Sequence, residues 1–341
     1  MMRKLVNIQK QLVPELVETM QKRYRMLQFV YLRQPIGRRA LAVNLQLSER
    51  VVRGEVTFLK EQRLVTFTTA GMSLTREGET VLVQLDDTMK ELLGLKAFES
   101  ELQDKLGVKK AVIVAGDSDE EDWVKQEMGQ ACVKELKAII EPRSVVAVMG
   151  GTTLAAVAQM MTPDPKVSQT IFVPARGGLG ERVENQANTI SAEFADRAGA
   201  EYRLMHVPDQ LSEEAYASLV MEPSVKEILD LIKTSRILLH GIGDATRMAA
   251  RRSSEEPFMN KLKREHAIAE AFGYYFNQSG EIIHKQRTIG LQLDELDTGK
   301  HVISVAGGAS KANAIKAYMQ HRPSDVLITD EAAARRLLQE I

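Results

Sequence analysis

The amino-acid sequence predicts an α/β protein with two domains: an N-terminal winged helix-turn-helix and a C-terminal doubly wound, Rossmann-like domain. The chain has 341 residues, about twice the usual size of a domain. Residues 1–76 hold 14 Lys plus Arg against 5 Asp plus Glu, whereas the remainder holds 31 against 41. From Lys110 onward, short apolar runs alternate with helical stretches. We place the winged helix at residues 1–90, a linker helix up to about residue 105, and the α/β domain at residues 106–341.

Composition excludes several classes of protein. Hydrophobic residues make up 44% and charged residues 27% of the chain, which argues against disorder. The single cysteine, Cys132, excludes an internal disulfide framework, and the 6 histidines show no metal-ligand spacing. We therefore expect no metal and no cofactor. No apolar run approaches about 18 residues, so we expect no membrane span. Charged residues interrupt positions 1–21, so we expect no signal peptide and a cytoplasmic location.

Apolar spacing predicts three helices in the basic segment. The first runs over 16–32, and Pro35 ends it. The second covers 38–45, and the third begins after Ser48, a good N-cap, and reaches about Gln62. The face expected to be buried in the first helix consists of Leu16, Met20, Tyr24, Leu27 and Tyr31.

The third helix has the pattern of a DNA-recognition helix. Its expected buried face is Val52, Val56 and Leu59. The opposite face carries Arg50, Arg53, Gly54 and Thr57, where long donors can meet phosphates and guanine edges. A glycine costs about 1 kcal/mol within a helix. A close approach to DNA would explain Gly54, and so would a crowded helix crossing.

Two alternating runs, 64–69 and 72–75, predict a β-hairpin that completes a winged helix. We expect this unit to bind double-stranded operator DNA, because helix order, cap, charge and wing agree. The alternative is a basic three-helix module that binds a protein. A further helix from Arg76 to about Lys105 is expected to pair with itself in a dimer. The expected DNA-contacting residues are Arg38, Arg39, Ser48, Arg50, Arg53 and Thr57.

The acidic segment alternates strands and helices, which predicts a parallel sheet covered on both faces. Ligands of such sheets bind beyond the carboxyl ends of the strands. The expected strands are 111–115, 145–149, 169–173, 202–207, 236–240, 302–306 and 326–329. The expected helices are 123–140, 154–161, 186–198, 225–234, 260–270, 311–321 and 331–341.

Three loops after these strands predict an anion site. Glycines admit an oxyanion close to the backbone, and a helix N-terminus with threonine hydroxyls donates to it. The first loop is Gly150-Gly151-Thr152-Thr153, the second carries Arg176, and the third leads to Lys311. The spacing matches neither a P-loop nor a dinucleotide fingerprint, so a sugar phosphate is favoured over a nucleotide.

Other polar residues leave alternatives open. Arg247, Arg251 and Arg252 fit either a second phosphate or solvated surface charge. Glu270, expected at the end of a helix, could accept sugar hydroxyls or serve as a base. An enzyme, a sugar-phosphate isomerase or deaminase with an accessory DNA-binding module, is the alternative to a regulator. We expect a non-enzymatic protein, because no recognisable motif pairs an acid with a base.

Several motifs together resemble the SorC family of bacterial repressors. They are I-G-R-R and S-E-R-V-V-R-G-E-V in the basic segment, then G-G-T-T, V-P-A-R-G-G-L-G, H-G-I-G-D, E-A-F-G-Y-Y-F and V-A-G-G-A-S-K. The resemblance covers essentially the whole chain. It implies a homo-oligomeric repressor of a glycolytic operon, a dimer or tetramer, whose effector domain is similar to sugar-phosphate isomerases and deaminases.

The resemblance also implies an effector, fructose 1,6-bisphosphate, that relieves repression. One phosphate would be held by the loop Gly150, Gly151, Thr152 and Thr153, with Lys311 nearby. The residues expected to contact the rest of the sugar bisphosphate are Arg176, Gln186, Arg251 and Glu270.

Overall fold

The computed structural model describes residues 12–178, 182–252, 254–297 and 299–340. The chain divides into two compact units, one ending at Ala97 and the other beginning at Phe98. None of the described helices has the length and apolar character of a membrane span. Leu179 and Gly180, which end the V-P-A-R-G-G-L-G motif, lie outside the described residues.

The N-terminal unit is built of helices and one hairpin, in the order of a winged helix. Strands β1 and β2 pair antiparallel, with Val65 opposite Leu74. The wing also bonds to the segment before the second helix, because Ile36 and Met72 exchange backbone hydrogen bonds of 2.9 and 2.8 Å. The elements are α1 (Pro14–Arg33), α2 (Arg38–Asn44), α3 (Glu49–Glu61), β1 (Val65–Thr68), β2 (Gly71–Leu74) and α4 (Arg76–Leu93).

The recognition helix has the buried face that its sequence predicts, but the first helix does not. Val52, Val56 and Leu59 of α3 are buried. In α1, Leu16 is 52% and Tyr31 39% exposed, so these two predictions are wrong. Helix α1 packs against α4, β2 and α2, and it therefore buries a wider face than one stripe. That face comprises Val17, Tyr24, Met26, Leu27, Gln28, Phe29 and Val30.

The predicted single helix from Arg76 to Lys105 is two helices. Gly94, in the left-handed conformation with φ of 76°, ends α4. Its N–H donates to the Glu91 carbonyl, as expected of a glycine at a helix C-terminus. A second helix, α5 (Leu95–Leu106), follows at once.

The C-terminal unit contains a seven-stranded sheet whose strand pairs are all parallel, which confirms the predicted α/β fold. Its strand order is β3-β13-β12-β7-β4-β5-β6. The strands are β3 (Lys110–Val114), β4 (Val145–Val148), β5 (Ile171–Pro174), β6 (Glu201–Tyr202), β7 (Ile237–His240), β12 (His301–Val305) and β13 (Val326–Asp330). The helices are α6 (Asp122–Ile139), α7 (Thr152–Gln159), α8 (Ala187–Ala198), α9 (Glu213–Leu219), α10 (Pro223–Thr234), α11 (Ala245–Arg251), α12 (Glu256–Arg264), α13 (Ala312–His321) and α14 (Glu331–Glu340).

The order in which the chain adds strands to the sheet reverses between β4 and β7. From β4 the chain continues outward through β5 to β6, and from β7 it continues the other way through β12 to β13. Because the crossovers of parallel strands are right-handed, such a reversal sends the connecting helices to opposite faces. A crevice opens between the loops at this point, at the carboxyl ends of the strands.

Two predicted elements of the C-terminal unit are wrong. The strand expected over 202–207 ends at Tyr202, because the Asn188 side chain bonds both the N–H and the carbonyl of Met205, each at 3.0 Å. The helix expected over 260–270 ends at Arg264, and His266 adopts a left-handed φ of 53°.

Glu270 therefore lies in a strand and not at the end of a helix. It belongs to β9, the centre of a four-stranded antiparallel sheet that the sequence did not predict. That sheet consists of β8 (Gly243–Asp244), β9 (Ala269–Ala271), β10 (Tyr274–Phe276) and β11 (Ile282–Lys285), in the order β11-β10-β9-β8.

We predict opposite effects of alanine at two helical glycines of the N-terminal unit. A Cβ at Gly78 would lie 2.0 Å from the Leu64 carbonyl oxygen, whereas a Cβ at Gly54 would meet no atom within 4 Å. Gly78→Ala should destabilise this unit by at least about 2 kcal/mol through overpacking. Gly54→Ala should stabilise it by about 1 kcal/mol through helix propensity.

Native-state hydrogen exchange of the N-terminal amides in the full-length chain measures both changes. Unchanged protection in Gly78→Ala would contradict the close packing of α4 against Leu64.

Candidate functional site

A cavity of about 430 Å³ opens at the reversal of the sheet. Its walls include the loops after β4, β5, β7 and β12, four neighbouring strands of the sheet. The site residues expected from the sequence all line it: Gly150, Gly151, Thr152, Thr153, Arg176, Gln186, Arg251, Glu270 and Lys311. The fold thus brings together loops that are far apart in the chain.

The loop after β4 presents backbone donors to the cavity. Gly150 passes so close to Asn185 that a Cβ would lie 2.8 Å from that residue's carbonyl oxygen. Gly151 has φ of 125°, a conformation suited to glycine, and its N–H donates to the same carbonyl at 2.8 Å. Helix α7 begins at Thr152 without a side-chain cap, so the N–H groups of its first turn lack helical partners. This end of the cavity is suited to an anion.

Lys311 supplies a cation at the same end. It lies in a 3-10 turn, Ala309–Lys311, directly before α13. Burial lowers the pKa of Lys311, and Asp119 partly opposes this shift. Within the described residues, no carboxylate forms an ion pair with Lys311. A bound phosphate would supply the missing counter-charge.

Two aspartates fix the loops around Lys311. The Asp330 Oδ2 accepts hydrogen bonds from the N–H groups of Ser118 at 2.9 Å and Gly308 at 2.6 Å. Asp119 accepts from the Ser310 N–H at 2.8 Å and from its hydroxyl at 3.1 Å. The loops after β3 and β12 are therefore held together at the carboxyl edge of the sheet.

The cavity also borders a buried network of two arginines and two carboxylates. Arg176 forms a bidentate pair with Asp209, with Nε at 2.8 Å and Nη2 at 2.7 Å from its oxygens. Arg176 Nη1 lies 3.6 Å from Glu270 Oε1. Arg252 donates to the same Oε1 at 2.8 Å and to the Tyr275 hydroxyl at 2.9 Å.

The pKa values of the two carboxylates in the network are shifted in opposite directions. Burial raises the pKa of Asp209, although Arg176 and Arg252 oppose the rise. For Glu270, burial also acts to raise the pKa, but Arg252 and Arg176 outweigh it, so that the pKa lies below its ordinary value. Glu270 is therefore an ionised hydrogen-bond acceptor at neutral pH.

Two further predicted residues complete the wall. Gln186 directly precedes α8, and Arg251 ends α11 at an exposed position. Arg247, which is also exposed, lines the cavity beside Arg251. From the sequence, Arg252 fits either a ligand-binding or a surface role, and Asp209 is not predicted as a site residue. No local motif surrounds Asp209, and its partner lies 33 residues away in the chain.

His240 forms part of the cavity floor as a neutral ring. Burial lowers the pKa of His240 to about 4. Its Nδ1 lies 3.0 Å from the Gly241 carbonyl, and its Nε2 lies 2.6 Å from the Ser304 hydroxyl. Since a carbonyl only accepts, Nδ1 carries the proton and the Ser304 hydroxyl donates to Nε2. The ring is thus a fixed packing element against Phe272, at 4.7 Å between ring centroids.

In the N-terminal unit, the residues predicted to contact DNA are exposed. Ser48 accepts from the Val51 N–H at 3.3 Å and is thus the N-cap that the sequence predicts. The Thr57 hydroxyl donates to the Arg53 carbonyl at 2.8 Å. Arg39 lies 3.6 Å from Glu49 in an exposed ion pair, which is too solvated to compete strongly with a phosphate. The predicted residues that are exposed are Arg38, Arg39, Ser48, Arg50, Arg53 and Thr57.

The structure argues against one of the two explanations of Gly54. A Cβ at Gly54 would meet no atom of the described residues within 4 Å, so no crossing with a described helix requires the glycine. Glu55, one position on, pairs with Lys22 at 2.5 Å and Arg23 at 2.8 Å. These pairs fix α3 against α1.

Both units match families of known proteins. Residues 19–89 match the family of the CggR N-terminal DNA binding domain, and residues 90–339 match a sugar-binding domain family. The central glycolytic genes regulator of Priestia megaterium is 55% identical over 342 residues, covering 99% of both chains. That of Bacillus subtilis is 52% identical over 339 residues, covering 99% of this chain and 100% of the relative.

Solved structures agree. A SorC family transcriptional regulator from Enterococcus faecalis is 44% identical and has a TM-score of 0.67, covering 71% of this chain and 99% of the other. The full-length sorbitol operon regulator SorC from Klebsiella pneumoniae shares the fold with a TM-score of 0.68 at 19% identity, covering 94% of this chain and 98% of the other. These relatives are named as transcriptional regulators, which confirms the expectation of a regulator over an enzyme. The chain belongs to the central glycolytic genes regulators of the SorC family, transcriptional regulators that join a DNA-binding domain to a sugar-binding domain.

Proposed function

We propose that the chain represses a glycolytic operon and that fructose 1,6-bisphosphate is the effector that relieves repression. The observation that carries the proposal is the cavity, in which one part offers backbone donors and a partly buried lysine, Lys311, that forms no ion pair within the described residues. A small dianion fits this end, since helix N-terminal N–H groups and a cation both favour negative charge. The name of the relatives, central glycolytic genes regulator, supports a glycolytic metabolite as the ligand.

The second phosphate is assigned to the mouth of the cavity. Arg247 and Arg251 are exposed there, whereas Arg176 and Arg252 are engaged by buried carboxylates. An exposed arginine binds a phosphate without first breaking a buried ion pair, which would be strongly unfavourable. A bisphosphate would then span the cavity from Lys311 to Arg251, with its hydroxyls facing Gln186 and Glu270.

The basic unit is proposed to place α3 in the major groove of operator DNA. Arg50 and Arg53 would contact base edges, and Arg38 and Arg39 the phosphates, which set position without specifying sequence.

We propose a homo-oligomer, a dimer or tetramer, because symmetric operators match symmetric proteins. Val83, on the helix α4 that follows the wing, is 75% exposed and offers an apolar contact for a second copy. The proposed location is the cytoplasm, where DNA and glycolytic intermediates occur together.

We predict that fructose 1,6-bisphosphate stabilises the full-length chain and that two substitutions remove this effect. At a concentration near 100 times the dissociation constant, the gain is about 2.7 kcal/mol, visible as a higher melting temperature. Thr152→Val removes a hydroxyl donor and Lys311→Met removes the unpaired charge, so both should reduce the gain to near zero. Lys226→Ala, an exposed lysine of α10, is the matched control and should keep the full gain.

We predict that Arg50→Ala with Arg53→Ala weakens operator binding at least about tenfold, because each base-contacting arginine contributes about 1–3 kcal/mol. A duplex selected from a random pool by the wild-type protein serves as probe in fluorescence anisotropy. The charge-matched control is Lys134→Ala with Lys226→Ala, at exposed positions of the C-terminal unit. Equal affinity of the arginine variant and this control would overturn the assignment of α3.

We also predict that Gly54→Ala lowers operator affinity without lowering stability. The added methyl group would meet no atom of the described residues within 4 Å, so in the proposed complex it would clash with the DNA. Overpacking of an interface by one methyl costs about 1–3 kcal/mol, and anisotropy with the same duplex measures it. Undiminished affinity would mean that this turn of α3 stays clear of DNA.

A further inference from the structure

Asp209 lies behind the wall of the proposed effector cavity, where it pairs with Arg176 at hydrogen-bond distance and lies 3.9 Å from Arg252 Nε. Its side chain is 1% exposed, and that of Arg176 is 6% exposed. Both oxygens of Asp209 accept from Arg176, at 2.8 and 2.7 Å. This is the bidentate geometry that fixes the plane of a guanidinium as well as its position.

The backbone of Asp209 is itself anchored to the loop that carries Arg176. The Asp209 N–H donates to the Gly178 carbonyl at 2.9 Å, and the Asp209 carbonyl accepts from the Ile289 N–H at 3.2 Å. Gly177 approaches the same segment so closely that a Cβ would lie 2.7 Å from the Pro208 carbonyl oxygen. The carboxylate therefore cannot follow Arg176 if the arginine turns toward a ligand.

Arg176 with its plane fixed directs its remaining Nη1 toward Glu270. Glu270 Oε1 also accepts from Arg252 at 2.8 Å and from the Gly273 N–H at 2.7 Å. Within the described residues, no group donates to Glu270 Oε2. The carboxylate thus has one oxygen held by the protein and one left for a ligand donor.

The charges of this end balance. Two guanidinium groups, those of Arg176 and Arg252, face two carboxylates, those of Asp209 and Glu270. A second phosphate would have to compete with both carboxylates, whereas a hydroxyl donates to a carboxylate oxygen without adding charge. The pattern suits the uncharged, hydroxyl-bearing part of a sugar.

We propose that Asp209 is a positioning residue for effector specificity, which holds Arg176 so that Glu270 presents Oε2 to a sugar hydroxyl. The inference rests on the proposed sugar-phosphate function and adds a residue that does not touch the ligand. A positioning role and a purely electrostatic role of Asp209 predict opposite changes in ligand affinity when the carboxylate is removed. Removing a negative charge near an anionic ligand would strengthen binding because a Coulomb repulsion is lost, whereas loss of positioning weakens binding.

The test is a double-mutant cycle on the full-length protein, with calorimetric titration of fructose 1,6-bisphosphate. Asp209→Asn should raise the dissociation constant at least about tenfold in the wild-type background and less than about twofold in the Arg176→Ala background. Inorganic phosphate, which needs only the Lys311 end, should bind wild type and Asp209→Asn equally. Asp230→Asn, at an exposed position of α10, is the matched control for loss of one carboxylate.

Each outcome has a defined meaning. Tighter or unchanged binding of the bisphosphate to Asp209→Asn, or an equal loss for the bisphosphate and inorganic phosphate, overturns the positioning role. If wild type itself does not bind the bisphosphate, the proposed function fails and takes this inference with it; wild-type binding with an unaffected variant refutes the inference alone.

A second variant guards against misfolding of Asp209→Asn. Arg176→Lys keeps the charge but cannot form a bidentate pair, so it should weaken bisphosphate binding to a similar extent. The melting temperature without ligand shows whether each variant is folded. A folded Arg176→Lys protein with wild-type affinity for the bisphosphate would also overturn the proposal.

Discussion

The reversal of strand order between β4 and β7 is the constraint on which the effector site depends. In a parallel sheet every strand ends at the same edge, and helices normally cover the gaps between neighbouring loops. At the reversal, the connections leave to opposite faces, so the loops after β4 and β7 have no helix between them. The loops after β5 and β12 flank this gap. A site of about 430 Å³ thus follows from topology before any side chain is specified.

The two parts of the cavity differ in whether their charged side chains are paired. Lys311 is partly buried and, within the described residues, forms no ion pair with a carboxylate, and the first turn of α7 lacks a side-chain cap, so a bound anion would stabilise this part of the cavity. Arg176 and Arg252 are already paired, so the other end is stable when empty. In the proposed complex the phosphates would therefore lie at Lys311 and at the exposed arginines, and the uncharged part of the sugar would lie against the paired groups.

The sequence predicts those parts of the site that depend on local chemistry. Glycines and threonines after β4 predict a backbone anion site, because the conformation of Gly151 and the start of α7 are set by neighbouring residues. The position of Glu270 in a strand was not predictable in the same way. Its strand, β9, has 3 residues, too few to show a periodic pattern, and it is stabilised by pairing with β8 and β10. Asp209 was not predicted because it belongs to the site only through its ion pair with Arg176. A pair between positions 33 residues apart leaves no motif in a single sequence.

A ligand in the C-terminal unit can change DNA binding only to the extent that the DNA-bound and DNA-free proteins bind it differently. By linkage, the DNA must then change the affinity for the ligand by the same factor. If the shape of the cavity depended on a single mobile contact, the DNA-bound and DNA-free proteins would bind the ligand with nearly equal affinity. Here the loops are joined by Asp330, by the Asp119–Ser310 bonds and by the Asp209–Arg176 pair, so a change in the spacing of any loop disturbs several hydrogen bonds together. The same bonds that preorganise the site for a sugar phosphate therefore make its affinity sensitive to the conformation of the whole unit.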